Sequence, residues 1–122
     1  MSSPEPKTCR VCGRRITWRR RWADRWDAIT TCSAGCRKRG IRAADRALET
    51  LLLDTLTAEP RGALLCPSEA ARQVFDPCGP AELERARSAA RRLVARGLAE
   101  LVQRGRVVDP STARGPVSLR LV

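Results

Sequence analysis

Four cysteines in the first third of the chain have the spacing of a metal site. Cys9 and Cys12 form one pair and Cys32 and Cys36 form a second, which gives the pattern C-x2-C-x19-C-x3-C. Thiols paired in this way are typical of structural zinc sites, in which four thiolates surround the ion as a closed tetrahedron. A closed tetrahedron leaves no position for water or substrate, so we predict a structural Zn²⁺ and not a catalytic one.

Two other roles for these cysteines remain open. An iron–sulfur cluster also takes four cysteine ligands, and a secreted protein could use its six cysteines as a disulfide framework. The opening residues MSSPEPK lack the apolar stretch of a signal peptide, and no apolar run is long enough to span a membrane. We therefore expect a cytoplasmic protein without membrane association, whose paired cysteines bind metal through sulfur alone, since the chain has no histidine.

The residues around the two cysteine pairs suit a small finger of the treble-clef type. Gly13 follows the first pair and lets the backbone turn around the metal. Ser33 is the predicted N-cap of a short helix that carries the second pair on one face and ends at Gly40. Short strands are predicted at 16–18 and 28–31.

Three tryptophans lie between the cysteine pairs, at Trp18, Trp22 and Trp26. Because they recur at every fourth position, a helix over 19–27 would place them on one stripe. They could form the core that so short a finger otherwise lacks, with one ring left exposed. They could also serve as a stacking platform for nucleobases, since arginines flank them.

The positive charge of the chain is concentrated in its first part. Residues 1–46 carry 13 basic and 4 acidic side chains, a net charge of +9, whereas residues 47–122 carry 11 and 9. Four thiolates and one Zn²⁺ would lower the first value to about +7. Because such a field attracts phosphates, we predict contact with nucleic acid, either DNA or RNA, through Arg14, Arg15, Arg19, Arg20, Arg21, Arg37, Lys38 and Arg39.

This charge could also have arisen without nucleic-acid binding. Arginine outnumbers lysine by 22 to 2, a bias that a GC-rich genome alone could produce. Such a bias would raise arginine throughout the chain, yet the second part balances its arginines with acids. The basic surface could also be merely solvated, or it could bind an acidic protein partner.

The remainder of the sequence, from residue 41 onward, predicts three helices before its strands. Apolar residues recur at helical spacing over 43–58. Pro67 begins a second helix that ends near Phe75, and a third begins near Pro80 or Ala81 and ends before Gly97.

Strands are predicted after the third helix, over 98–103, 106–108 and 117–122, and a short apolar run at 64–66 could form another. Helix, short strand, helix, helix and hairpin is the order of a winged helix-turn-helix. The sequence therefore predicts an α+β protein with a zinc finger at residues 1–40 and a winged-helix domain at residues 41–122.

The third of these helices is the candidate for reading DNA, because in winged-helix proteins it usually enters the major groove. A helical wheel sets a polar face opposite the apolar face that contains Leu83, Ala90 and Leu93. We therefore predict further nucleic-acid contacts from Arg85, Ser88, Arg92 and Arg96.

Each part of the chain also resembles a known bacterial family. The segment CRVCGRRITWRRRWADRWDAITTCSAGCRKR resembles a small finger family with the pattern C-x2-C-G…W-R-x2-W-x3-W…C-S-x2-C-R. The segment from LLCPSEAAR through RARSAARRLVARG to GRVVDPSTARGPVSLRL resembles a second family, and the pairing of the two is familiar. Both are domains of unknown function, so the resemblance implies an architecture and no activity. Thr31 departs from the finger family, which often has an aromatic residue before its third cysteine.

No set of catalytic residues is recognisable in the sequence. Without histidine or tyrosine, general acids and bases would have to be carboxylates, and none of these forms a paired motif. We therefore predict no enzymatic activity and no small-molecule substrate, and expect a zinc-stabilised nucleic-acid-binding protein such as a small transcriptional regulator. The alternatives are a protein–protein adaptor that uses the Trp-rich finger or the winged helix, and a thiol-redox role for Cys66 at a helix start.

Overall fold

A computed structural model describes residues 3–122 of the chain. Helices and strands are mixed along the chain, as the sequence predicts. The buried apolar side chains form two separate clusters, one among residues 9–36 and the other among residues 48–119. Residues 3–40 are called the finger region below, and residues 41–122 the C-terminal region.

The finger region contains little regular structure. Two strands of two residues each, β1 (Lys7–Thr8) and β2 (Arg15–Ile16), pair in antiparallel orientation. A 3-10 helix follows at Arg20–Ala28, and α1 spans Ala34–Arg39. Short elements of this kind cannot bury much apolar area, so something other than a large core must hold the region together.

The strand predicted at 28–31 is wrong, and the one predicted at 16–18 is confirmed only at its first residue. The N–H of Ile29 bonds back to the 3-10 helix, at the carbonyl of Trp26, which closes that helix instead of starting a strand. The carbonyl of Thr30 then accepts a single hydrogen bond from the N–H of Arg10, at 2.9 Å.

The short helix α1 has the ends that its sequence predicts. The Ser33 hydroxyl accepts a hydrogen bond from the N–H of Cys36 at 3.2 Å, which is an N-cap contact. At the other end, Gly40 has a φ of +59° and donates its N–H to the carbonyl of Cys36. That backbone conformation favours glycine, so the helix stops there.

The tryptophan stripe is broken, because Arg25 has non-helical backbone angles inside the 3-10 helix. Trp26 is nevertheless buried with Val11 and Ile16 in the finger cluster. Trp18 and Trp22 are half-buried against the same cluster. The tryptophans therefore supply the core of the finger region, with the rings of two of them partly exposed.

Three helices begin the C-terminal region: α2 (Ala43–Ala58), α3 (Pro67–Val74) and α4 (Pro80–Ala95). Their bounds agree with the prediction to within one or two residues. Carboxylate side chains stabilise the N-termini of α2 and α4. Asp45 accepts a hydrogen bond from the N–H of Arg42, and Glu82 accepts one from the N–H of Gly79, both at 2.8 Å. No helix within residues 3–122 is both long enough and apolar enough to cross a bilayer.

A three-stranded antiparallel sheet completes this region, with β3 (Ala99–Gln103) between β4 (Arg106–Val108) and β5 (Ser118–Leu121). The apolar run before α3 contributes a single bridge, from Leu65 to Leu119 on β5. Sheet and helices enclose one core, whose buried leucines are Leu48, Leu52, Leu56, Leu65, Leu93, Leu101 and Leu119.

Candidate metal centre

The four cysteines predicted to bind metal converge on one point. Their Sγ atoms all lie within 4.8 Å of one another. The Sγ atom of Cys32 is 3.6 Å from those of Cys12 and Cys36. Four sulfurs at a Zn–S distance of about 2.3 Å stand about 3.8 Å apart in a regular tetrahedron. The cluster therefore fits one tetrahedral metal ion with four sulfur ligands.

Local backbone geometry brings each pair into place. The first pair lies on a tight turn, in which the N–H of Gly13 bonds to the carbonyl of Cys9 at 3.0 Å. The second pair lies at the start of α1, with Cys32 just before the N-cap and Cys36 within the helix. Cys32 is exposed and the other three cysteines are buried, so one edge of the centre faces solvent.

The thiols of the cluster are electrostatically coupled. Burial raises the pKa of Cys9, but hydrogen bonds from the backbone N–H groups of Cys12, Cys32 and Val11 outweigh burial and bring that pKa to about 7. Burial is also the largest cause of the raised pKa of Cys12 and of Cys32, and the nearby charge of Cys9 raises both further. A divalent cation removes this mutual repulsion, because thiols bind metals as thiolates.

The turn that carries the first cysteine pair is docked on helix α4. Arg91 donates from Nε to the carbonyl of Cys12 at 2.5 Å, and Arg92 donates from Nη1 to the carbonyl of Val11 at 2.6 Å. A Cβ atom on Gly13 would lie 2.4 Å from the Cβ of Arg91. Gly13 is therefore required for this contact as well as for its φ of +76°.

A buried carboxylate of α2 holds one of these two arginines, Arg92, from the other side. Glu49, 4 % exposed, accepts hydrogen bonds from Arg92 at 2.9 Å, Arg46 at 3.0 Å and Arg96 at 3.2 Å. Each of the buried charges of Glu49 and Arg92 thus has a partner of opposite sign.

The neighbouring carboxylate, Asp45, pairs with Nε of Arg85 at 2.8 Å. Burial alone would raise the pKa of Asp45, but the hydrogen bonds and charge of Arg85, with help from Arg42 and Arg92, lower it. Asp45 is therefore held ionised beside the turn that carries the first cysteine pair.

The prediction of an outward-facing DNA-reading surface on α4 is wrong for Arg92, which is 6 % exposed and covered by the finger turn. The neighbouring candidates also have partners: Arg85 binds Asp45, the Ser88 hydroxyl accepts from Arg91, and Arg96 binds Glu49. A helical wheel correctly separates the polar face from the apolar face, but it cannot show that the finger turn covers part of the polar one.

The basic residues predicted in the finger region all lie at the surface. Arg15 forms an ion pair with Asp109 in the C-terminal region. Arg39 donates to the Sγ of Cys36, one of the four candidate metal ligands, at 3.2 Å. Within residues 3–122, no ion pair involves the remaining six, which are Arg14, Arg19, Arg20, Arg21, Arg37 and Lys38.

Several of these arginines surround the ring of Trp22. The guanidinium carbons of Arg19 and Arg21 lie 5.6 and 5.1 Å from the centroid of that ring. Beside it is a cleft of about 480 Å³ lined in part by Arg25 and Arg37. The Trp22 surface is defined below by these five residues. The sequence prediction missed Arg25, which lies in the same segment and could have been included on its charge alone.

Cys66 and Cys78 lie outside the cluster and are half-buried. The Sγ of Cys66 is 3.0 Å from the Ser68 hydroxyl at the start of α3. The redox role suggested for Cys66 stays a prediction.

Two family models match the chain. The one described as "Uncharacterized protein conserved in bacteria (DUF2256)" matches residues 2–39. The other, described as "Protein of unknown function (DUF3253)", matches residues 45–122. No curated protein matches the chain. The resemblance to two uncharacterised families is thus confirmed, and because the second match covers more than half of the residues, the protein belongs to the DUF3253 family.

Proposed function

We propose that this is a zinc-stabilised nucleic-acid-binding protein, without enzymatic activity, whose contact surface is the basic face of the finger region. The observation that carries the proposal is the set of exposed basic side chains in the finger region that form neither an ion pair nor a bond to a cysteine sulfur within residues 3–122, namely Arg10, Arg14, Arg19, Arg20, Arg21, Arg25, Arg37 and Lys38. Phosphate contacts supply most of the affinity of proteins for nucleic acid, and they need basic groups that are not already neutralised.

Zinc is the proposed metal. The sulfur–sulfur distances suit a single ion, whereas the four sulfurs of an iron–sulfur cluster usually bind different iron atoms and stand further apart. The ion would hold both cysteine pairs in one unit and so fix the arginines on either side of Trp22. Its role is structural, because four protein ligands leave no open coordination position.

We infer a treble-clef-like finger and a winged-helix-like C-terminal region as the fold. The first is supported by a cysteine turn followed by a helix that carries the second pair. The second is supported by the order of α2, α3 and α4, the antiparallel hairpin of β3 and β4, and the Leu65–Leu119 bridge. The proposal does not assign a major-groove role to α4, because Arg91 and Arg92 in the middle of its polar side are buried against the turn of the first cysteine pair.

The Trp22 surface suits single strands in particular. The ring of Trp22 is stacked nearly parallel on that of Trp26, with an interplanar angle of 9° and centroids 6.4 Å apart. Because Trp22 is only half-buried, part of its ring is available to an unpaired base. Stacking of one base on an aromatic ring contributes about 1–3 kcal/mol, and the arginines around Trp22 would hold the adjacent phosphates.

The proposal is tested by the salt dependence of binding. We would measure the affinity of the metal-loaded protein for labelled single-stranded DNA, duplex DNA and RNA by fluorescence anisotropy between about 50 and 200 mM NaCl. If six phosphates of a duplex are neutralised, the slope of log K against log salt is about −5. The triple variant of Arg19, Arg21 and Arg37 to Gln should reduce that slope by about 3.

The matched control removes the same charge elsewhere, by changing Arg61, Arg72 and Arg104 to Gln, and it should leave the slope within about one unit. Trp22→Ala should weaken binding to single strands about 5-fold to 100-fold and binding to duplex much less. Affinity that does not change with salt, or an equal loss in the control, would contradict the proposal.

A further inference from the structure

A second basic cleft lies where the two regions of the molecule meet. Its volume is about 380 Å³, within the usual range for small-molecule sites. Four parts of the chain form it: the turn after Cys12, one side of α4, Leu101 of β3, and the loop from β4 to β5. This junction cleft is defined by Arg14, Glu84, Arg87, Arg91, Leu101 and Arg114.

The charge of the junction cleft is unbalanced. Glu84 is its single carboxylate, and it already accepts a hydrogen bond from Arg91 at 3.1 Å. Arg14, Arg87 and Arg114 form no ion pair with any residue in the described part of the chain. Three uncompensated guanidinium groups in one concave surface create a positive potential that an anion can neutralise.

The backbone that carries these arginines is held in place. Gln103, on β3, donates from Nε2 to the carbonyls of Arg114 at 2.5 Å and Pro116 at 3.1 Å, which fixes the loop against the sheet. Arg87 is held by its position in α4. The cleft is therefore built on ordered elements, so a ligand would not have to order the loop itself.

The chemistry of the lining indicates the ligand. Planar guanidinium groups bind the oxygens of phosphoryl groups in bidentate fashion, and three of them suit a group with more than one negative charge. The apolar part of the lining, including buried Leu101 and half-buried Val117, offers room for an uncharged portion of the same molecule.

We propose that the junction cleft binds a phosphoryl group, carried either by a small phosphorylated molecule or by a nucleic-acid strand. This inference goes beyond the proposed function, because the cleft shares only Arg14 with the basic residues of the finger region and includes neither Trp22 nor the arginines around it. It would also assign a role to the exposed side chain of Arg114.

The test uses the metal-loaded full chain and isothermal titration calorimetry. Inorganic pyrophosphate, ATP and a short single-stranded DNA are titrated in turn into the wild type and into the double variant with Arg87→Gln and Arg114→Gln. We expect the double variant to bind at least one of the three probes about 10-fold more weakly. A loss confined to pyrophosphate and ATP identifies a small phosphorylated ligand, and a loss confined to DNA identifies a strand phosphate.

The matched control carries Arg61→Gln and Arg72→Gln, which remove the same charge from exposed positions outside the cleft. Its affinities should equal those of the wild type. The proposal is overturned if the wild type shows no binding of pyrophosphate or ATP at about 1 mM and its DNA affinity is unchanged in the double variant. It is also overturned if the control loses as much as the double variant.

Two further variants keep the test decisive. If the double variant is less folded by circular dichroism, Arg114→Gln alone is used, because its side chain is exposed on a loop. The Arg19, Arg21 and Arg37 triple variant should retain pyrophosphate binding. Failure of the Trp22 surface and failure of the junction cleft are therefore separable.

Discussion

Arginine is abundant in both regions, but its surroundings differ. Seven ion pairs connect residues within 3–122; six of them lie inside the C-terminal region, and the seventh joins Arg15 of the finger region to Asp109. Three arginines at α4, Arg85, Arg92 and Arg96, pair with buried acids of α2, whereas those around Trp22 face solvent. Arginine content alone is thus a poor guide to a binding surface, because nearby carboxylates decide which guanidinium groups remain available.

The two regions also differ in what holds them together. The C-terminal region buries leucines and alanines from three helices and a sheet in one core. The finger region buries three cysteines with Val11, Ile16 and Trp26. The C-terminal region can be stable through its apolar core. The finger region needs a metal ion that joins its four sulfurs.

Metal removal should produce the largest difference between the two regions, because only the finger region should unfold. Apparent zinc-binding energies of such sites are roughly 10–16 kcal/mol, so a chelator or Cys12→Ser should unfold the finger region. The three tryptophans of the chain all lie there, so their fluorescence reports on it alone. We expect a red-shifted emission while most of the helical circular dichroism persists. Cys78→Ser is the control, and unchanged emission after metal loss would contradict a metal-dependent finger.

The next largest effect is expected on the free energy of unfolding, when the buried carboxylate of Glu49 is removed. Glu49→Gln would leave the buried guanidinium of Arg92 without its counter-charge, so we expect a loss of about 3–5 kcal/mol in the free energy of unfolding. The control is Glu100→Gln, whose ion pair with Arg120 is about one-third exposed and should contribute less than about 1 kcal/mol. Urea denaturation measures both, and equal losses would contradict the difference between buried and surface pairs.

A smaller effect should come from the contact between the regions. Gly13→Ala would place a Cβ atom against the backbone and Cβ of Arg91, in addition to the strain of a positive φ. Gly97→Ala has similar φ strain but open space around the added atom. We therefore expect the Gly13 variant to lose about 1–3 kcal/mol more than the Gly97 variant in thermal denaturation. Equal losses would mean that the turn does not pack closely on α4.

Much of the secondary structure could be predicted because its signals are local. Pro67 and Pro80 mark helix starts, Ser33 and Gly40 bound α1, and the alternating residues near the end of the chain mark β5. The strand at 28–31 failed because β-prone residues there complete the 3-10 helix and bond singly to the cysteine turn. The β-propensity of a residue type reflects the surroundings that it has on average in proteins. The surroundings of residues 28–31 are different.

By itself the sequence determined the four candidate metal ligands, the order of helices and strands, and the concentration of charge in the first part of the chain. Each depends on spacing or composition over a few tens of residues. Only the tertiary structure decided which arginines remain exposed, because Arg91 and Arg92 contact carbonyls 79 and 81 residues away in the chain. Contacts at that separation leave no periodic signal, so the buried side of α4 and the junction cleft emerge only when the two regions pack together.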